Sequence, residues 1–149
     1  MIIKKETDKE KTVKLLQNFF YSFYKENEIA MTYVQNLEEY ILKVAESATS
    51  IFAYIEDKPA GFCSFYDNLP PYAYITFYGV DPLFRGQGIA KEMILTAIKM
   101  AINSGCVTMG ARVDEENIKS LKVLEDCGFV VKQKEGKVFL LEWTQEKKS

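Results

Sequence analysis

The sequence contains no histidine, and this absence excludes several classes of enzyme at once. Hydrolases that activate a serine or cysteine with an imidazole are excluded, and so are zinc proteases that bind the metal with two helical histidines. Any acid–base chemistry must therefore use a carboxylate, a tyrosine, serine, cysteine or lysine side chain, water, or the substrate itself.

Cysteines and long apolar segments are also scarce. Cys63, Cys106 and Cys127 are widely spaced and match neither a disulfide framework nor a zinc site. No segment reaches the roughly 20 apolar residues that a membrane-spanning helix needs, and the charged start MIIKKETDKE is unlike an export signal. We therefore expect a reduced, cytoplasmic protein without a bound metal or a membrane partner.

Charge of neither sign dominates the chain. It has 19 Lys and Arg against 21 Asp and Glu, so the basic surplus typical of nucleic-acid binding is missing. The 48% of hydrophobic residues is ample for one core. No linker or repeat divides the sequence, and we expect one α/β domain over residues 1–149.

Hydrophobic periodicity predicts four helices and seven strands in the order β-α-α-β-β-β-α-β-α-β-β. A capping box of Thr7 and Glu10 is expected to start the first helix, and Asn36 to cap the second. The helices are predicted at 8–25, 36–48, 86–104 and 116–126. The strands are predicted at 2–3, 51–56, 61–66, 72–80, 106–113, 129–134 and 137–144, with turns at 57–60 and 135–136.

The segment RGQGIA, residues 85–90, lies between a predicted strand and a predicted helix. The first N–H groups of a helix lack partners within it and carry partial positive charge, so they bind anions well. Gly86 and Gly88 would let an anion approach the backbone closely. The alternative is an ordinary glycine turn before a core helix. A dinucleotide-binding fingerprint is disfavoured, because Lys91 stands where its third glycine belongs.

Residues 80–90, VDPLFRGQGIA, resemble the hallmark loop of the GNAT superfamily of N-acetyltransferases, R/Q-x-x-G-x-G/A, at Arg85, Gly88 and Ala90. The sequence DKPAGF at 57–62 is similar to the family's turn between its second and third strands. Residues 111–129, ARVDEENIKSLKVLEDCGF, resemble the family's second motif, as it stands in the branch that acetylates the N-termini of ribosomal proteins.

The resemblance implies a mixed, mostly antiparallel sheet of about seven strands with four helices, split between strands 4 and 5. Acetyl-CoA would enter this split as co-substrate. The backbone of Tyr78, Gly79 and Val80 would pair with the pantetheine arm, and the Val80 N–H would stabilise the oxyanion. The pyrophosphate would be held by the N–H groups of Gly86, Gln87, Gly88, Ile89 and Ala90.

Two further cofactor contacts have alternatives that the sequence leaves open. Arg85 is expected either to add positive charge beside the pyrophosphate or to serve as a solvated or structural arginine. Asn117 matches the family asparagine that binds the cofactor arm, but it also suits the N-cap of a helix.

The activity implied is direct transfer of an acetyl group to a primary amine, on a small molecule or a protein N-terminus. Leu124 stands where many relatives have a tyrosine acid, and Arg112 where others have a glutamate base. By resemblance Ser120 could assist at the sulfur, or be a small packed residue. Tyr78 is the first alternative acid, ahead of Tyr72 and Tyr74, which strand alternation places on the same face.

Other questions stay open at this level. Glu115 and Glu116 are interpreted as helix-start charges rather than catalysts, and no base is assigned. The missing acid and base motivate the alternative of a non-catalytic acyl-CoA-binding module. The acceptor pocket is predicted from residues 20–36, the loop at 66–74 and the C-terminal hairpin. Dimers are common among relatives, and nothing here fixes the oligomeric state.

Overall fold

A seven-stranded sheet in the order β1-β2-β3-β4-β5-β7-β6 organises the computed structural model, which describes residues 1–26 and 36–146. The strands are β1 (Ile2–Lys5), β2 (Thr49–Ile55), β3 (Lys58–Leu69), β4 (Tyr72–Val80), β5 (Thr108–Asp114), β6 (Val130–Glu135) and β7 (Val138–Thr144). The helices described are α1 (Lys9–Glu26), α2 (Leu37–Ser47), α3 (Ile89–Asn103) and α4 (Ile118–Asp126), with a 3-10 turn at Pro82–Phe84.

The predicted order of elements is confirmed, and so is the predicted type of sheet. Neighbouring strands are antiparallel except β4 and β5, which are parallel and joined through α3. Among the four helices of the described residues, none combines the length and apolar character that crossing a membrane requires.

Several predicted boundaries were wrong by a few residues, each for a local reason. The first helix is capped by Asp8, whose carboxylate accepts from the Lys11 N–H at 3.1 Å, instead of by a Thr7–Glu10 box. The third helix begins only at Ile89, because Gly88 takes a left-handed conformation. The fifth strand starts at Thr108, and the last hairpin turns at 136–137.

The turn between β2 and β3 is tighter than the predicted turn at 57–60. Glu56 and Asp57 both have positive φ, 50° and 66°, as in a two-residue hairpin turn that matches the twist of its strands. Lys58, Pro59 and Ala60 consequently belong to β3. Proline is tolerated there because the ladder is irregular opposite it, between Ala53 and Tyr54.

Each face of the sheet carries its own apolar cluster. Helices α3 and α4 cover one face, where the buried side chains of α3 include Met93, Ile94 and Ala97. Helices α1 and α2 cover the other face with an aromatic cluster around Phe62. Burial of both faces fixes which way each strand residue points, because a strand that slipped by one residue would exchange its two faces.

A bulge interrupts β4 and reverses its alternation. Ser64 of β3 pairs with Phe77, but the next residue, Phe65, pairs with Ile75, so Thr76 is the extra residue. Before the bulge Ile75 packs in the α3–α4 cluster, and after it Tyr78 packs there too. The prediction that Tyr72, Tyr74 and Tyr78 share one face is therefore wrong for Tyr78.

The aromatic cluster is expected to dominate the stability of the α1–α2 face. Phe62 is fully buried and stacks on Phe77 with ring centroids 6.0 Å apart and an interplanar angle of 2°. Replacing Phe62 with Ala should lower the free energy of unfolding by about 3–5 kcal/mol. In the control Leu42→Ala, which alters an exposed side chain of α2, the change should stay within about 0.5 kcal/mol. Denaturant titration monitored by circular dichroism measures both, and equal effects would contradict the prediction.

Candidate functional site

The parallel strands β4 and β5 are hydrogen-bonded along only part of their length. Three residue pairs connect them: Tyr72–Thr108, Ala73–Met109 and Tyr74–Gly110. The ladder stops where the β4 bulge begins, and a bulge bends its strand and increases the twist. Beyond it β4 continues to Val80 and β5 to Asp114, so the strands enclose a split that opens at their carboxyl ends.

The last residues of β4 direct backbone groups into this split. The Asp81 N–H donates to Ala60 of β3 at 2.8 Å. Alternate residues of an antiparallel strand face opposite neighbours, so the N–H and C=O groups of Tyr78 and Val80 point away from β3. These groups are where an extended ligand could add to the sheet as a further strand.

The glycine-containing loop lies at the open end of the split. Gly86 and Gly88 have φ values of 82° and 76°, which disfavour other residues. A Cβ on either would meet nothing within 4 Å, so the space beside the loop is open. No side chain of the described residues caps α3 at Gly88, and residues 86–88 are exposed.

Two side chains of the motif have structural contacts. Arg85 donates from Nε to the carbonyl of Val80 at 3.0 Å, which favours the structural alternative for this arginine. Ile89 is buried in the core, where its Cγ2 would lie 3.4 Å from a Cβ on Gly61 of β3. Gln87 is exposed and Ala90 is partly buried. For Ile89, the side chain anchors the helix and only the N–H is available to a ligand.

The second motif lies across the split, after β5. The Asn117 side chain accepts from the Ser120 N–H at 3.2 Å and caps α4, as its structural alternative predicted. Its side chain is exposed at the carboxyl end of β5. The two motifs therefore flank the open end of one split, the usual place for ligands at parallel strands.

Tyr78 and Ser120, which the sequence offered as two separate candidates to assist at the sulfur, are in contact with each other. The Tyr78 hydroxyl forms a hydrogen bond with Ser120 Oγ and also donates to the Ser120 carbonyl at 3.5 Å. Burial raises the pKa of Tyr78 to about 12, although the Ser120 hydrogen bond lowers it somewhat. The phenol is therefore protonated at neutral pH and held beside α4.

Leu124 and Arg112, at the positions where many relatives have an acid and a base, have other environments in this structure. Leu124 is fully buried in the core cluster that α3 and α4 cover. Arg112 is exposed. Burial raises the pKa of the nearby Tyr74 phenol, and the positive charge of Arg112 offsets part of that rise. Glu115 forms an ion pair with Lys134 at 2.6 Å, in agreement with a structural charge. Tyr72 is 67% exposed beside the closed end of the split.

One contact that supports the site could not be predicted from the sequence pattern. Tyr40 of α2 lies with its hydroxyl 2.5 Å from Thr76 Oγ1 and donates to the Thr76 carbonyl at 3.3 Å. Thr76 is the bulge residue, so this contact braces the bend of β4. Within the segment 20–36 that was predicted to line the acceptor pocket, residues 27–35 lie outside the described residues.

The comparisons with known proteins agree with this geometry. The family model described as "Acetyltransferase (GNAT) family" matches residues 10–129. GCN5-related N-acetyltransferase 4, chloroplastic, of Arabidopsis thaliana is 37% identical over 78 residues, which are 52% of this chain. These residues span 25% of that relative's length.

Solved structures share the fold over nearly the whole chain. PH1933 from Pyrococcus horikoshii OT3 has a TM-score of 0.74 at 21% identity, covering 98% of this chain and 100% of that one. The PaiA N-acetyltransferase from Thermoplasma acidophilum, solved in complex with coenzyme A, has a TM-score of 0.70 at 18% identity, covering 97% and 99%.

Two buried tyrosines should make stability depend on alkaline pH. Burial raises the pKa of both Tyr40 and Tyr78 to about 12, from an ordinary value of 10.0. Between these values the unfolded chain has lost the two protons that the folded chain keeps, so the free energy of unfolding should fall as pH rises. Denaturant titrations across this range measure the slope. In each of the variants Tyr40→Phe and Tyr78→Phe one of the two phenols is missing, so the slope of the free energy of unfolding against pH should fall by the contribution of about one proton. Unchanged slopes would contradict the assignment.

Proposed function

The chain belongs to the acetyltransferase (GNAT) family, and on that premise we propose that it transfers an acetyl group from acetyl-CoA directly to a primary amine. The amine belongs to a small molecule or to a protein N-terminus. The observation that carries the proposal is the split between β4 and β5, with a glycine loop and the start of α4 on its two sides.

The residues present fit coenzyme A in two respects. The open space beside Gly86 and Gly88 leaves room for a pyrophosphate against the N–H groups of residues 86–90. The outward N–H and C=O groups of Tyr78 suit the pantetheine amides, and so does the Val80 carbonyl, which can accept a second hydrogen bond besides that from Arg85. Asn117 lies at the start of α4, on the other side of the split. When bound, acetyl-CoA supplies an acetyl group already activated as a thioester.

The chain's own groups then have four roles. The Val80 N–H donates to the thioester oxygen and stabilises the negative charge that develops there. Holding the amine and the thioester together in the split removes much of the entropic barrier. The amine nitrogen bonds to the acetyl carbon as the C–S bond breaks, Tyr78 gives its proton to the departing sulfur, and the proton that the nitrogen loses returns to Tyr78 through water. Ser120 holds the phenol in place. Arg85 keeps the end of β4 in position through the Val80 carbonyl.

One observation favours a second candidate, a module that binds acyl-CoA without catalysis. The usual acid position is a buried leucine, Leu124, and Arg112 replaces the usual base. Calorimetry with acetyl-CoA, together with thiol release measured over a panel of amines and N-terminal peptides, separates the two. We expect binding and turnover. Binding without turnover on every amine would favour the module, and the absence of binding would refute both.

Removal of the Tyr78 hydroxyl should affect the chemical step more than binding. In Tyr78→Phe we expect kcat to fall by about 100-fold or more, because the proposed proton donor to the departing sulfur is lost. KM for acetyl-CoA should change little. Tyr72→Phe, at the closed end of the split, is the matched control and should keep its kcat. Steady-state kinetics give both constants, and an undiminished kcat in Tyr78→Phe would refute its role.

The glycine loop can be tested apart from the chemistry. In Gly88→Ala the strained backbone should displace N–H donors, and each hydrogen bond to a charged group is worth about 1.5–3 kcal/mol. We therefore expect the Kd for coenzyme A to rise at least about tenfold. Gly136→Ala is the control, because Gly136 has a φ of 59° and equally open surroundings in the β6–β7 turn. Calorimetry measures both variants, and similar affinities would contradict the assignment.

A further inference from the structure

The ring of Phe23 presses against β4 at the level of the split. A Cβ built on Gly79 would lie 2.4 Å from Phe23 Cε2 and 2.5 Å from Cζ, so only glycine fits beneath the ring. Gly79 lies between Tyr78 and Val80, the two residues whose backbone groups point into the split. Phe23 thus covers the α1–α2 side of β4 at this point, as Tyr78 does on the α3–α4 side.

The ring is held firmly in this position. Phe23 is 9% exposed and packs against Phe19 and Phe62, with centroid distances of 6.1 Å to each. The Arg85 guanidinium carbon lies 6.0 Å from the centre of the Phe23 ring, while its Nε donates to the Val80 carbonyl. The ring and the guanidinium together form a wall beside the end of β4.

Under the proposed function, acyl transfer would bring the acetyl methyl close to this wall. A carbonyl carbon under attack has four substituents in tetrahedral directions. With the oxygen at the Val80 N–H and the sulfur toward Tyr78 on the α3–α4 side, the methyl group and the incoming amine would occupy the two remaining directions. One of these directions leads toward the α1–α2 side, which Phe23 covers beside β4.

We propose that Phe23 is a specificity-determining residue that limits the transferred group to about the size of acetyl. The inference rests on the proposed function and adds the choice of acyl donor to it. A longer chain would have to enter the space that the ring fills, and the aromatic neighbours of Phe23 leave the ring no simple way to move aside. The contact between Gly79 and the ring would hold Phe23 where it limits the length of the acyl group.

Calorimetry with coenzyme A, acetyl-CoA, propionyl-CoA and butyryl-CoA tests the proposal without a known acceptor. The wild-type protein should bind butyryl-CoA at least about tenfold more weakly than acetyl-CoA, since one methylene in a closed pocket is worth about 10-fold or more. In Phe23→Leu and Phe23→Ala this difference should largely disappear, while the affinity for coenzyme A itself stays the same.

Phe19→Leu is the matched control, because Phe19 packs in the same cluster against Phe52 and Phe62. It should keep the wild-type preference. An unchanged preference in folded Phe23→Leu, or equal affinities of the wild-type protein for acetyl-CoA and butyryl-CoA, would overturn the inference and leave the proposed function intact. A wild-type protein that does not bind coenzyme A would instead refute the proposed function itself.

Discussion

The hydrogen-bonded ladder between β4 and β5 stops after Tyr74 and Gly110, and the rest of the site depends on where it stops. The bulge at Thr76 follows at once and bends β4 away from its neighbour. A continuous ladder would leave no space between the strands and no outward backbone groups for a ligand. Tyr40 braces the bulge from α2, so the packing of the first two helices takes part in holding the split open.

The closed end of the split is secured by a different set of contacts. Asp67 of β3 accepts from Thr49 of β2 at 2.9 Å and from Ser104, after α3, at 2.7 Å. The N–H groups of Val107 and Thr108 donate to the Pro71 carbonyl at 2.8 and 3.3 Å. One end of the parallel pair is thus tied to its surroundings while the other is free to diverge, which confines the opening to the side where both motifs lie.

The bulge also changes which side chains can meet. By reversing the alternation of β4 it turns Tyr78 to the face of α4, where its hydroxyl finds Ser120. It leaves Gly79 on the face of α1, beneath Phe23. Leu124 leaves α4 without the tyrosine found at that position in many relatives, but Tyr78 of β4 brings a phenol to the same face. Under the proposed function, one extra residue in β4 supplies both a proton donor and an acyl-chain wall.

The sequence by itself determined the order of helices and strands, the span of β4 and the position of the glycine-containing loop. Periodicity, proline and glycine act locally, so residues such as Pro82, Gly88 and Asn117 can be interpreted from their neighbours alone. Only the tertiary structure decided which way Tyr78 points and what Arg85 and Phe23 touch. A bulge arises from the register between two strands, and an aromatic run such as YAYITFYGV contains no local sign of it.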